Sequence, residues 1–101
     1  MKATTPRAVG LFLLTVTVLA AAGPTTAYTG QELAGDAKIT IDQARAIALK
    51  AHPGRIMDEE LEREDGGSGL RYTFSVDTDS GVQELGVDAA TTGQVLENSP
   101  D

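Results

Sequence analysis

Leu70-Arg71-Tyr72-Thr73-Phe74-Ser75-Val76-Asp77 alternates apolar and polar residues from its first position to its last. Successive side chains of a strand point to opposite faces, so this stretch predicts a half-buried strand with Leu70, Tyr72, Phe74 and Val76 on the core side. Asp77-Thr78-Asp79-Ser80-Gly81 follows, a cluster of residues that favour tight turns. Residues 82–87 then read as a second strand, with Leu85 and Val87 on one face. The pair predicts an antiparallel hairpin whose core is centred on Tyr72 and Phe74. Further on, Asp88-Ala89-Ala90-Thr91-Thr92-Gly93 reads as another turn, Gln94-Val95-Leu96 as a short closing strand, and residues 98–101 as a tail.

Upstream of the hairpin, Asp65-Gly66-Gly67-Ser68-Gly69 is a loop signal. Residues 55–64 before it are ambiguous. Their propensity is helical, yet Met57, Glu59, Leu61 and Arg63 would also share one face of a strand. The preceding element is clear. Ile41, Ala44, Ile47, Ala48 and Ala51 recur at three and four, which predicts a helix over 41–51. Thr40 and Gln43 stand in capping-box spacing, Asp42 suits the positive N-terminal end, and Lys50 and His52 suit the negative C-terminal end. Pro53 stops the helix and Gly54 supplies a turn. Residues 23–37 have little apolar patterning and read as a flexible lead-in.

The N-terminus reads as a signal peptide over 1–22. Lys2 and Arg7 form a basic start, and an uncharged run from Ala8 to Ala22 follows. Small residues offer cleavage after Ala22, or as late as Ala27. The competing reading, a retained single-span anchor, is disfavoured: a span needs about 20 apolar residues, and Gly10, Thr15 and Thr17 interrupt this shorter run. No cysteine is present, which closes both disulfides and attachment of a lipid to a Cys behind the signal. The expectation is a secreted or periplasmic product without a stable membrane anchor.

All 15 acidic residues lie beyond Ala27, whereas Lys2 and Arg7 lie before it, so that part is more acidic than the whole chain's −7. Such a charge argues against nucleic acid or an anionic membrane surface as partner. It fits a basic protein partner or a hard cation. A chain this short makes one domain and buries only about 60% of its unfolded surface, which leaves little room for a deep pocket.

Several of these pieces together resemble the PepSY domain, a small module of bacterial exported proteins. They are Ile41-Asp42-Gln43-Ala44, Ile47-Ala48-Leu49, Pro53-Gly54, Glu60-Leu61-Glu62, and Tyr72, Phe74 and Val76 after a glycine loop. The closing run from Leu85 and Val87-Asp88-Ala89 to Thr91-Thr92-Gly93 and Val95-Leu96 is the most specific, although the paired threonines lengthen the usual turn by one residue. The resemblance covers 38–97. It implies an α+β fold, one helix packed on a small antiparallel sheet of three to four strands in two layers. On that ground residues 56–64 are assigned as a strand. It also implies an exported binding or regulatory module, since similar modules occur in propeptides of secreted metallopeptidases, where inhibition or local regulation of the peptidase has been proposed. It brings no catalytic residue.

The chemistry visible in the residues is sparse. A hydrolytic triad needs a base, and the single His52 sits at a helix end where a surface role suffices. A zinc site needs three or four ligands, and with no Cys and one His none is expected. We expect no enzyme activity and no cofactor. The most suggestive feature is acidic: on a strand Asp58, Glu60, Glu62 and Glu64 would project from one face, opposed by Arg71 on the neighbouring strand. They are candidate contacts for a basic protein partner, a peptidase in particular. The alternative is loose Ca²⁺ binding by an acidic envelope protein, and the plain reading is a solvated strand that charge protects from aggregation. Asp77-Thr78-Asp79-Ser80-Gly81 departs from a calcium loop: its glycine is fifth rather than sixth, and Asp88 stands where a Glu is needed.

Overall fold

The alternating stretch is the second strand of an antiparallel sheet in the computed structural model, which describes residues 27–101. The strands are β1 (Arg55–Arg63), β2 (Leu70–Thr78), β3 (Gly81–Asp88) and β4 (Val95–Pro100), in the spatial order β1-β2-β3-β4. One helix, α1 (Ile41–Ala51), packs on one face, so the fold is α+β in two layers. The signal read in residues 1–22 lies outside the described residues. Among those described, no helix is long and apolar enough to cross a membrane.

Helix α1 begins where its cap dictates. The Thr40 hydroxyl accepts from the Gln43 amide at 3.1 Å, and the Gln43 side chain accepts from the Thr40 amide at 2.8 Å. Its inner face, Ile41, Ala44 and Ala48, is buried, and the two alanines let the helix approach the sheet closely. Facing it are Leu70, Tyr72, Phe74 and Val76 of β2, Leu61 of β1, and Leu85 and Val87 of β3, all buried. Tyr72 and Phe74 do sit at the centre, with ring centroids 6.5 Å apart. The Tyr72 hydroxyl donates to the Ile39 carbonyl at 2.8 Å. Burial, with Tyr28 beside it, pushes this phenol up to about 12.

Residues 55–63 are a strand, as the resemblance implied and propensity alone did not decide. A register shift between Ile56 and Asp58 alters its faces. Ile56 lies opposite Val76 on the core side, and Met57, which strict alternation would turn inward, is 48% exposed. A second shift falls between Gly86 and Val87, where β4 carries one residue more than β3.

Two stretches differ from the sequence reading. The first is residues 28–37, expected to be a flexible lead-in. Thr29 forms a parallel bridge with Glu60, and its carbonyl accepts from the Leu61 amide at 2.8 Å. Gly30 turns the chain there with φ 84°, and a side chain at that position would collide with the Leu61 carbonyl. A 3-10 helix, Gln31–Asp36, then lays Leu33 against the core, while Tyr28 stands 6.3 Å from Tyr72, ring centre to ring centre. Apolar contacts from only Tyr28, Leu33 and Ala37 are too few to register as a periodic pattern, which is why composition misled. The second is residues 98–101, expected to be a tail. β4 continues to Pro100, because backbone pairing with β3 needs no apolar side chains.

Candidate functional site

The face of the sheet away from α1 is built from the residues that alternate with the core. β1 contributes Asp58, Glu60 and Glu62, opposite Ser75, Thr73 and Arg71 of β2. β3 adds Glu84 and Gly86, and β4 adds Glu97 and Ser99. Glu64 follows the end of β1 and still reaches this face, its carboxylate 3.4 Å from Arg71 Nη1. Strand geometry thus brings together Asp58, Glu60, Glu62 and Glu64, with Glu84 and Glu97 across the sheet. Hydroxyls hold part of this array: Thr73 donates to Glu62 at 2.7 Å, and Ser75 donates to Glu84 at 2.9 Å.

Arg71 is the cation set among these carboxylates. Its side chain is only 9% exposed, within 3.4 Å of Glu64 and 3.8 Å of Glu97, and it donates to the Asp65 carbonyl at 3.0 Å. It can lie flat because β3 offers Gly86 beneath it, where a side chain would press on its guanidinium. One cation does not offset the row. Partial burial raises the Glu60 carboxyl above its ordinary value, and the charges of Glu62, Asp58 and Glu64 raise it further. A cationic group laid on this face would relieve that repulsion.

Comparison with family models matches residues 38–98 to the peptidase propeptide and YPEB domain, PepSY. The chain belongs to the PepSY family. Neither the curated proteins nor the solved structures compared with it yield a match. The family's description ties this kind of domain to the propeptides of peptidases. Residues 28–37, docked on β1, precede the matched PepSY region.

Two further carboxylates of this PepSY domain have local partners, Asp88 and Asp77. Asp88, which stands where a calcium loop would need a Glu, is 1% exposed and saturated by the protein. It accepts from the Ser68 hydroxyl, from the Ser68 amide at 2.9 Å and from the Ala90 amide at 3.1 Å. Burial by itself would raise this carboxyl, but the bonds from Ser68, Ala90 and Thr91 together outweigh it and hold it below the usual value. Asp77 pairs with Arg55 at 3.1 Å. Among the described residues no group of three His, Cys, Asp or Glu side chains lies close enough to hold a metal ion. His52 ends α1, its amide donating to the Ala48 carbonyl at 2.9 Å.

Sequence reasoning missed two of these assemblies. Asp88 joins the glycine loop 65–69 to the turn 89–93, a tie foreshadowed only by its place in the Asp88-Ala89 run of the closing motif. Arg45 forks onto Glu59 at 2.8 and 2.7 Å, clamping α1 to β1, and also bonds Asp42 at 2.5 Å. The Glu59 bond, above all, raises the Arg45 guanidinium further above its ordinary value. Glu59 is separated by 14 residues from Arg45, and no local spacing signals such a pair.

Proposed function

We propose that this PepSY chain is an exported binding module that modulates or inhibits a secreted peptidase, and that it is not itself an enzyme. The observation that carries the reading is the uncovered sheet face. Asp58, Glu60, Glu62 and Glu64 stand there with Glu84 and Glu97, around the single buried Arg71. The family's association with peptidase propeptides supports a peptidase as the partner, and charge complementarity supports a basic surface on it. Export to the periplasm or the outside follows from the leader-like residues 1–22 and brings the chain to such a peptidase.

The test is inhibition and binding of the peptidases secreted by the producing cell, measured with the wild-type chain and with a variant carrying Asp58→Asn, Glu60→Gln, Glu62→Gln and Glu64→Gln. The expected result is at least tenfold weaker binding by the variant, with a thermal midpoint no lower than that of wild type and a wild-type affinity that falls as salt rises. Equal affinity of both proteins would remove the acidic row from the contact. Failure of the wild type to bind or inhibit any of these peptidases would remove the function itself.

A further inference from the structure

The two edges of the sheet are not equivalent. In an antiparallel strand, residues alternate between bonding the neighbour strand and turning their backbone groups outward. Leu61 of β1 turns outward, since its amide donates to the Thr29 carbonyl at 2.8 Å, and Glu59 shares its direction. The Glu59 amide is occupied too, by the Asp58 carboxylate at 3.0 Å. The ion pair between Arg63 and Asp36 holds the lead segment against the far end of the strand. The chain itself therefore closes the middle of the β1 edge.

β4 is different. The Asp101 amide donates to the Val82 carbonyl at 2.9 Å, so Glu97, Ser99 and Asp101 face β3, and Asn98 and Pro100 face outward. Proline at an outward position forfeits no bond to β3. The Asn98 amide and carbonyl and the Pro100 carbonyl remain directed away from the sheet. Beside them on the acidic face stands Glu97, 40% exposed and 3.8 Å from an Arg71 that it shares with Glu64. Val95, 37% exposed, offers an apolar contact at the start of the strand.

We propose that the outer edge of β4 takes an extended, lysine- or arginine-bearing segment of a protein partner as a fifth strand. Asn98 makes the central pair of backbone bonds, and Glu97 faces the partner's cation. Main-chain bonding of this kind supplies affinity, and the opposite-charge cross-strand pair sets the register. The open edge and the acidic face meet at Glu97, so one cationic segment can engage both. A second copy of this chain is a poorer occupant, because its β4 carries no Lys or Arg to face Glu97. The inference deepens the partner-binding reading and rests on it.

A capped octapeptide of alternating threonine and lysine is the probe, titrated into the full chain while amide exchange is followed by NMR. The expected result is at least fivefold slower exchange at Asn98, with Glu59 and Leu61 unchanged. A fluorescent version of the peptide should bind an Asn98→Pro variant at least tenfold more weakly. It should bind Asn98→Ala within twofold of wild type, since that variant keeps the amide. If Asn98→Pro fails to fold, the exchange measurement on the wild type still decides. Protection at β1 instead, protection at no edge amide, or absence of peptide binding overturns the proposal. So does protection of Asn98 that grows with protein concentration alone, which would mean pairing between copies. Peptide-induced shifts at Glu60 and Glu62 without protection of Asn98 would overturn the edge but leave the acidic face as the contact. Peptidase inhibition is scored separately, so the two readings fail independently.

Discussion

The two faces of one sheet are made from alternate residues of the same strands, yet they obey opposite rules. The face under α1 is apolar: Leu61, Tyr72, Phe74, Val76, Leu85 and Val87 are each no more than 1% exposed. Burial of that surface, at about 25 cal/mol per Å² of apolar area, is the main favourable contribution to folding. The opposite face carries Asp58, Glu60, Glu62, Glu84 and Glu97, and adds like-charge repulsion. Folding does not require carboxylates there, because neutral polar residues would keep the strands paired and soluble. The same contrast separates two carboxyls. Asp88 is surrounded by donors and held below its usual value, whereas Glu60 is surrounded by other acids and raised. One carboxylate is part of the structure; the other is tolerated by it.

If the covered face carries the stability, truncating its centre should have the largest effect. Phe74→Ala is expected to lose about 3–5 kcal/mol in chemical denaturation. A loss below about 1 kcal/mol would break the comparison. Asp88→Ala comes next, at about 1–3 kcal/mol, because the Ser68 and Ala90 amides lose their acceptor inside the structure. The pH dependence sharpens this. With the folded value lowered, Asp88 contributes stability above its unfolded value near 3.8, and that contribution disappears as the pH falls through the folded value. Denaturation midpoints measured from pH 5 downward should therefore drop more steeply for wild type than for the alanine variant. Glu59→Gln weakens the clamp to Arg45, in which both side chains are mostly shielded, and should cost about 1 kcal/mol with a small rise in exchange at the α1–β1 contact.

Glu60→Gln should have the smallest effect and the opposite sign, within about 0.5 kcal/mol and in the stabilising direction at neutral pH. The folded value of Glu60 is raised, so its ionisation penalises the fold. That penalty is present above the folded value and vanishes as the pH falls below the unfolded value near 4.5. Thermal scans of wild type and variant should converge in acid. A clear destabilisation by Glu60→Gln would mean that the acidic face is structural after all.

The elements that sequence reasoning placed correctly are those with a local signature. α1 occupies 41–51 as its period and capping box require, and the hairpin turns between Thr78 and Gly81 where the Asp-Thr-Asp-Ser-Gly run lies. The acidic row was legible only once residues 56–64 were assigned as a strand from the resemblance, since alternation then sends Asp58, Glu60 and Glu62 to one face. What escaped was contact between distant segments. Thr29 on Leu61, Asp36 on Arg63, Arg45 on Glu59 and Asp88 on Ser68 each join residues that no short window contains together.

The residue pattern by itself therefore determined α1, the β2–β3 hairpin and the core face they share, because each follows from a period of two or of about 3.6 residues and from the side chain at each step, whereas β1 needed the family resemblance to be read as a strand. Only the tertiary structure decided which strand edge is closed. Residues 28–37 carry no periodic pattern, but Thr29 meets an edge amide that burial would otherwise leave without a partner, and Gly30 permits the approach. The order β1-β2-β3-β4 leaves Asn98 facing outward on the opposite edge. That asymmetry is a property of assembled strands, since an N–H is inward or outward only relative to a neighbour that the local sequence does not name.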